Sequence, residues 1–536
     1  MNQERRVKES VVTVEVVSGR EAQRYRGLWL LLSDFDGLNG TEIAMLSRIM
    51  RPIQCQTGDR DRQGARPAFA TCSASIRRLL ILLAALACLW PNGPARAQVV
   101  AFRTLVQFSN TNGATPQADL IQVNDGAFYY GTTHFGGSSS NGTIFKVTAD
   151  GRLTTVVNFL GTNGTEPLGA LSLGGDGNFY GTTFKGGSNG VGTLFQMMTN
   201  GTFHTLYSFS ATSNGTNADG ALPQAGLALG SDGCFYGTTS KGGTGQNGTV
   251  FKVTTNGTFT TLHSFAATVL SGFYFTNADG TTPEASLVQG PGGTLYGTAF
   301  AGGGYGLGTA FAITTNGAFS VLATFNRTNG AGPQAGLTLG SDGNFYGTTL
   351  AGGTNNLGTV FQMTPAGALR TLYTFGGPDG QSPASDLLAG GGGIFYGTTS
   401  NGGQNGNGTV FAIATNRVFT SLYSFSAGVF NVNLLTNADG ATPVAGLVPG
   451  SEGTIYGTAS AGGITGNGTV FELTTTPVPL NIRLIPGSVV LQWEAPWFSL
   501  QAAPAAVGTY TNILGAVSPY TNPLVNVRQF FRLIGN

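Results

Sequence analysis

The sequence predicts an all-β protein: a seven-bladed β-propeller closed by an N-terminal strand, followed by a small C-terminal β module. The prediction rests on composition, on a motif that recurs seven times, and on two chain ends that complete each other. The 536 residues include 85 Gly, 35 Phe and 16 Tyr, and only 10% are charged. Such a composition is typical of turn-dense β structure, whereas a disordered chain would carry more charge and fewer aromatic residues.

Residues 1–97 are predicted to lie outside this fold. Arg77 and Arg78 precede an apolar run over 79–90, and the small-residue stretch 95–97 precedes Gln98. This layout indicates a secretory signal peptide over 77–97 and a secreted or extracellular protein, with cell-surface association as an option. The apolar run is shorter than the ~18–20 residues that span a bilayer, so no membrane span is expected. A lipoprotein signal cut before Cys88 is an alternative.

Residues 1–76 are interpreted as an over-extended start or a disordered leader, because signals normally begin near the start of a protein. A small cytoplasmic domain is the alternative. Without residues 1–97 the chain keeps 12 basic and 16 acidic residues, a net charge of −4. That charge argues against nucleic acid as a partner. Cys234 alone remains, so packing and hydrogen bonds must stabilise the exported chain in place of an intramolecular disulfide.

A Tyr-Gly-Thr motif marks seven repeats in the mature chain. Each copy is followed at fixed distances by Gly-Gly, by Gly-Thr and by a Phe, and is preceded by a Pro thirteen or fourteen residues earlier. The tyrosines are Tyr130, Tyr180, Tyr236, Tyr296, Tyr346, Tyr396 and Tyr456. The matching prolines are Pro116, Pro167, Pro223, Pro283, Pro333, Pro383 and Pro443.

Four short apolar runs separated by turn signals make up each repeat, as in residues 335–339, 344–349, 358–363 and 368–375. Four strands of about five residues per unit indicate a propeller blade over residues 98–475. The repeated Tyr and Phe are interpreted as its core. A helical solenoid is disfavoured because no run shows a 3.6-residue period. A linear β-solenoid is the remaining alternative.

The two ends of the repeat region indicate that the ring is closed. The seventh copy stops after its third strand, at Leu473, whereas residues 103–108 before the first copy match a fourth strand such as 370–375. Residues 102–108 are therefore expected to complete the last blade. Closure would hide the strand edges that an open array exposes.

The repeats resemble the GloVer-type tandem repeat of the choice-of-anchor group of secreted bacterial proteins. The resemblance rests on the Pro, Gly-Leu, Asp-Gly, Tyr-Gly-Thr-Thr, Gly-Gly, Gly-Thr-Val-Phe and Tyr-Ser-Phe elements and covers residues 102–475, with Gly292 and Gly392 departing at the turn Asp. It implies secretion and a propeller. It implies no activity.

Binding is expected on one face of the ring. If first strands line the channel, the loops between strands two and three and the blade-to-blade junctions share this face, here called the upper face. The junction from closing Phe to next Pro is 8 residues in four cases, 14 once, and 18 after Phe265 and Phe425. Long insertions on one face of a repeat scaffold often build binding sites. The ligand-binding candidates are Phe273, Tyr274, Phe275 and Phe430; packing of these rings onto neighbouring blades is the alternative.

Acidic residues provide the other candidates, and no cofactor is predicted. Asp219, Asp279 and Asp439 could donate oxygens to calcium, or could serve the backbone of their turns. Asp119 and Asp386 replace a Gly of the first strand and are expected to face the channel, and Glu166 and Glu284 flank prolines nearby. Two such carboxylates could hydrolyse a glycosidic bond; acids at a solvated channel mouth are the alternative interpretation.

Residues 476–536 are interpreted as a small C-terminal β-sandwich-like module. The leading functional hypothesis is a secreted, non-catalytic, monomeric propeller that binds a polysaccharide or surface protein through its upper loops. The alternatives are an extracellular glycosidase or lyase with carboxylates at the channel mouth, and a structural surface protein. The identity of the ligand and the role of the C-terminal module stay open.

Overall fold

The computed structural model describes residues 101–123, 128–431, 434–451 and 453–474. It also describes strand segments of the C-terminal region. The expected leader 1–76, the expected signal peptide 77–97 and the Pro-containing linker after residue 474 lie outside the described residues.

Seven four-stranded antiparallel sheets follow one another and are named blades 1 to 7, with strands A to D. Blade 1 comprises Ile121–Val123, Phe128–Thr133, Thr143–Thr148 and Leu153–Asn158. Blade 2 comprises Ser172–Leu173, Phe179–Thr183, Thr193–Met197 and Phe203–Ser208. Blade 3 comprises Ala228–Leu229, Phe235–Thr239, Thr249–Val253 and Phe259–Ser264. Blade 4 comprises Val288–Gln289, Leu295–Ala299, Thr309–Ile313 and Phe319–Thr324.

The remaining three blades have the same four-strand arrangement. Blade 5 comprises Thr338–Leu339, Phe345–Thr349, Thr359–Met363 and Leu369–Thr374. Blade 6 comprises Leu388–Ala389, Ile394–Thr399, Thr409–Ala414 and Phe419–Ser424. Blade 7 comprises Val448–Pro449, Thr454–Ala459, Thr469–Thr474 and, as strand D, Ala101–Gln107. Short 3-10 turns, Pro291–Gly293 and Gly391–Gly393, join strands A and B of blades 4 and 6.

The N-terminal strand closes the ring, as the sequence predicts. Ala101–Gln107 pairs antiparallel with Thr469–Thr474, and the register skips Leu105. The same skip occurs in strand D of every other blade, at Val156, Leu206, Leu262, Leu322, Leu372 and Leu422. A shared β-bulge identifies Ala101–Gln107 as a true strand D of this repeat.

Strand A is shorter than the sequence predicts. In blade 5 it spans Thr338–Leu339, whereas the apolar run suggested residues 335–339. The backbone just before strand A bonds to the neighbouring blade. Thr298 of blade 4 donates from Oγ1 to the carbonyl oxygen of Ala335 at 3.0 Å. Corresponding threonines make this bond at every blade junction, including Thr458 to Ala118 between blades 7 and 1.

The core lies between adjacent blades. The ring of Tyr180 packs against Phe235 of the next blade with ring centroids 4.3 Å apart, and both side chains are buried. A Cβ on Gly181 would lie 2.5 Å from Cζ of Phe195, so the middle position of Tyr-Gly-Thr must be Gly. The predicted core role of the repeated Tyr and Phe is confirmed.

Two further hairpins occupy the 18-residue junctions. Val269–Ser271 pairs with Tyr274–Thr276, which we call hairpin 1, and Val429–Asn431 pairs with Leu434–Thr436, which we call hairpin 2.

Strands of the C-terminal region form two three-stranded antiparallel sheets. One contains Asn481–Ile485, Ser488–Gln492 and Tyr520–Pro523, and the other contains Thr511–Asn512, Phe498–Ala503 and Phe530–Gly535. Within the described part of the chain, no helix has the length and apolarity needed to cross a membrane.

Candidate functional site: a channel cavity and two exposed hairpins

A cavity of about 320 Å³ is lined by residues that precede strand A in each of the seven blades. Residues directly after the repeated prolines line it, among them Gln117, Gln224, Glu284 and Gln334. Each follows a buried Pro that packs against the Gly before strand C of the preceding blade, as Pro283 does against Gly248. The same repeat position in each blade therefore supplies one side chain to the cavity.

Glu284 is held between two glutamines from its neighbouring blades. Gln334 donates from Nε2 to Glu284 Oε2 at 3.1 Å, and Gln224 donates to Oε1 at 3.4 Å. Burial raises the pKa of Glu284, and the two amide donors and the charge of Lys241 partly offset that rise. The carboxyl group is thus fixed in position at one side of the cavity.

Asp119 and Asp386, which replace a Gly of the repeat, also line the cavity, two residues before strand A. Each carboxylate accepts a hydrogen bond from a backbone N–H of the preceding blade, Asp119 from Gly446 and Asp386 from Gly336. A Cβ on either glycine would lie 2.8 Å from the carboxylate. Each Asp therefore fits because the neighbouring blade has Gly at the same repeat position.

The two aspartates affect each other's ionisation. Burial raises the pKa of Asp119, against the opposing effect of the Gly446 N–H. Burial, followed by the negative charge of Asp119, raises the pKa of Asp386 to about 7. Like charges in a confined site favour a neutral form of one partner. The cavity thus contains two carboxyl groups whose pKa values are both raised by burial.

Glu166 does not join these residues. It precedes its Pro, has φ of 56°, and pairs with Lys185 Nζ at 3.2 Å and with His134 Nε2 at 3.5 Å. Glu284 follows its Pro, and this difference of two repeat positions separates a junction residue from a cavity residue. Burial lowers the pKa of His134 despite the neighbouring Glu166.

Hairpin 1 and hairpin 2 present apolar side chains to solvent. Phe273 is 99% exposed, Phe275 64% and Phe430 78%. Tyr274 is less exposed, and its hydroxyl accepts a hydrogen bond from Arg327 at 3.3 Å. The three phenylalanine rings thus do not pack onto neighbouring blades.

Both hairpins lie against loops between strands B and C. A Cβ on Gly306 of blade 4 would lie 2.5 Å from Cβ of Tyr274, and one on Gly466 of blade 7 would lie 2.8 Å from Cβ of Leu434. The hairpins and the B–C loops therefore share the upper face.

The aspartates considered for calcium serve their own junctions. Asp279 accepts from His263 Nε2 at 3.0 Å and from the Ala266 N–H. Asp219 and Asp439 accept in the same way from Tyr207 and Tyr423, at 2.8 and 2.6 Å. Within the described residues, no group of three or more His, Cys, Asp or Glu is arranged to hold a metal ion.

The glutamines of the cavity were missed by sequence reasoning. Gln117, Gln224 and Gln334 all stand directly after the repeated Pro, and so does Glu284. A polar residue at one fixed repeat position was the available signal, because equivalent positions of a closed ring converge on its axis.

Solved structures that resemble this chain share little sequence with it. The BP39L lectin from Burkholderia pseudomallei has 10% identity and a TM-score of 0.44, covering 76% of this chain and 99% of its own. A candidate 6-phosphogluconolactonase from Bacteroides fragilis has 16% identity and a TM-score of 0.42, covering 66% and 98%. Identities this low carry neither a ligand nor an activity over to this chain.

No curated protein matches the sequence. The family model of the Gloeobacter/Verrucomicrobia repeat matches residues 95–273 and 282–482, which is more than half of the chain and includes all seven blades. The chain therefore belongs to the Gloeobacter/Verrucomicrobia repeat family.

Proposed function

We propose that this protein is a secreted, non-catalytic recognition module that binds a polysaccharide through the two hairpins of its upper face. The observation that carries the proposal is the exposure of Phe273, Phe275 and Phe430 on paired strands and their turns. Exposed apolar side chains that cluster on one face of a soluble protein mark an interaction site more often than isolated ones do.

A neutral sugar polymer fits the chemistry of these hairpins. Residues 266–278 and 426–438 contain no Asp, Glu, Lys, Arg or His. The hairpin segments themselves offer a polyanionic partner no basic side chain, although Arg327 of the next junction contacts the Tyr274 hydroxyl at 3.3 Å. Flat aromatic rings can instead stack on the apolar faces of sugar rings, and their two side-chain torsions lose little entropy on binding.

The hairpins are held in place before any ligand arrives. Asn277 accepts at Oδ1 from the N–H groups of Gly280 and Gly303, at 2.9 and 3.0 Å, and so ties hairpin 1 to the B–C loop of blade 4. A preformed site reduces the ordering cost of binding. Affinity can therefore come from a few rings.

Calorimetric titration of the purified protein tests the proposal. The probes are soluble mixed-linkage β-glucan, xylan and galactomannan, with polygalacturonate as a charged control. The paired substitution Phe273→Ser and Phe275→Ser is expected to weaken binding of a neutral polymer at least tenfold. Val418→Ser, an exposed apolar residue in the C–D turn of blade 6, is the matched control and should leave binding unchanged.

Equal binding by both variants would contradict the proposal. Binding to a surface protein but to none of the polysaccharides would favour the protein partner instead. Absence of any partner would favour a structural role.

The channel supports a second candidate, a glycan-processing enzyme. One observation favours it: Asp386 has its pKa raised beside Asp119, so one carboxyl could hold a proton while the other is ionised. Glycoside hydrolysis requires such a pair. Release of reducing ends that is lost in Asp386→Asn but kept in the hairpin variants would establish this activity.

A further inference from the structure

Hairpin 1 and hairpin 2 are two copies of one structural element. Val269 pairs with Thr276 and Ser271 with Tyr274 in hairpin 1, and Val429 pairs with Thr436 and Asn431 with Leu434 in hairpin 2. The chain enters and leaves both at the same distance from the closing Phe and the next Pro. They thus share strand length, register and position in the repeat.

The residues at the base of the hairpins are also equivalent, and the 14-residue junction, which has no hairpin, shares them as Asn217 and Asp219. Asn437 accepts at Oδ1 from the N–H groups of Gly440 and Gly463, both at 2.9 Å, as Asn277 does in hairpin 1. The carboxylate of Asp439 receives the Ser426 N–H at 2.8 Å, and Asp279 receives the corresponding Ala266 N–H. The two hairpins are therefore held in the same way on blades 7 and 4, three blade steps apart around the ring.

Only these two junctions carry the element. The other five junctions, all within the described residues, are shorter, and none contains a strand pair like the hairpins. The B–C loop beside each hairpin also contains an exposed apolar residue, Tyr305 in blade 4 and Ile464 in blade 7. The upper face therefore carries two separate apolar sites, each on a hairpin whose own residues are uncharged.

We infer that the two hairpins are two subsites for the same neutral polysaccharide, and that one polymer chain occupies both at once. The inference rests on the proposed function and adds the mode of binding. A linear polymer repeats its unit along its length, so two copies of one protein element match two units of one molecule. A single rigid scaffold makes the second contact intramolecular, which raises overall affinity without new contacts.

The subsites differ in strength. Hairpin 1 offers Phe273 and Phe275, whereas hairpin 2 offers Phe430, Val429 and Leu434. Two aromatic rings provide more stacking surface than one. A short oligosaccharide is therefore expected to occupy hairpin 1 first.

A length series tests simultaneous binding. Oligosaccharides of increasing length, prepared from the neutral polymer that binds in the panel above, are titrated into the wild type. Three variants are titrated as well: Phe273→Ser with Phe275→Ser, Val429→Ser with Phe430→Ser, and all four substitutions together. Leu160→Ser, an exposed apolar residue of a short upper-face junction, is the control.

Simultaneous binding predicts a step. Wild-type affinity should rise at least tenfold once the oligosaccharide is long enough to reach both hairpins, and each paired variant should lose that step. The affinity for short oligosaccharides should fall with the hairpin 1 substitutions and hardly change with those in hairpin 2. The four-substitution variant should lose binding at every length.

Two results would overturn the inference while leaving the proposed function intact: a smooth rise of affinity with length, or a step that persists in either paired variant. If the four-substitution variant binds like the wild type, the proposed function itself fails. Analytical sedimentation of the unliganded protein measures its oligomeric state as a further test. A dimer that the four substitutions convert to a monomer would assign the hairpins to self-association and overturn the inference.

Discussion

The ring of Phe102 lies parallel to the ring of Tyr423, with the ring centroids 4.0 Å apart and the planes within 7°. Equivalent pairs join other blades: Tyr207 with Phe259 at 4.3 Å, His263 with Phe319 at 3.8 Å, and Tyr373 with Phe419 at 3.9 Å. In those pairs the second ring belongs to a strand D that follows strand C of the same blade in the chain. Phe102 comes from the other end of the sequence, so the N-terminal strand gives blade 7 the same contact with blade 6.

Phe102→Ala is expected to lower the free energy of unfolding by about 2–3 kcal/mol, because it removes a partly buried ring that contacts Tyr423, Phe425 and Phe471. Urea denaturation measures the change. Arg103→Ala removes an exposed ion pair to Glu472 and should cost less than about 1 kcal/mol. A change at Phe102 no larger than that at Arg103 would show that the ring contact does not stabilise closure.

The propeller could be predicted because the sequence signals of a blade recur in seven repeats. The missing fourth strand of the last repeat stood at the other terminus, and residues 101–107 occupy that place. The bulge at Leu105 could not be predicted from spacing, because an unpaired residue leaves the apolar pattern of a short strand unchanged. The shortened strand A reflects bonds to the neighbouring blade, which a single repeat does not contain.

The candidate site was predicted in part. Asp119 and Asp386 stood out because charge replaced Gly at one repeat position, and both line the cavity. Glu166 and Glu284 both flank a repeated Pro, but Glu166 precedes its Pro and lies beside Lys185, whereas Glu284 follows its Pro and lines the cavity. The exposed rings of hairpin 1 were expected on the upper face, but its strands were not, since the insert lacks the alternation of polar and apolar residues.

Gly446→Ala is expected to destabilise the protein by about 1–3 kcal/mol, because the new Cβ would lie 2.8 Å from the carboxylate of Asp119. Asp119→Ala removes that carboxylate. In the Asp119→Ala background, Gly446→Ala should therefore lower the free energy of unfolding much less. A double-mutant cycle by chemical denaturation measures the coupling. Equal costs in both backgrounds would place the strain elsewhere.

Asp386→Asn is expected to stabilise the protein at pH 8 by about 1 kcal/mol. Burial and Asp119 raise the pKa of Asp386, so the folded protein retains a proton that the unfolded chain releases near pH 4. Stability contributed by this group is therefore highest near pH 4 and falls as pH rises toward 7.

The stability of the Asp386→Asn variant should lack this dependence on pH and differ little from that of the wild type at pH 4. Thermal unfolding at pH 4, 6 and 8 checks this. Asp150→Asn is the control, since a hydrogen bond from Thr148 lowers the pKa of that exposed group and the sign of its effect is opposite. A pH profile of Asp386→Asn that parallels the wild type would disprove the assignment.

Tyr180→Phe is expected to lower the free energy of unfolding by about 1–2 kcal/mol. The Tyr180 hydroxyl donates to Asp176 in the A–B turn at 2.7 Å and accepts from Gln196 at 2.7 Å. Burial, followed by the Asp176 bond, raises the pKa of Tyr180 to about 12. In blade 4 Gly292 stands where this turn Asp is expected, so Tyr296→Phe is a matched control with an expected cost below about 0.5 kcal/mol. Urea midpoints of both variants compare the two blades directly. Similar losses at Tyr180 and Tyr296 would mean that ring packing, and not the turn aspartate, determines the contribution of this repeated tyrosine.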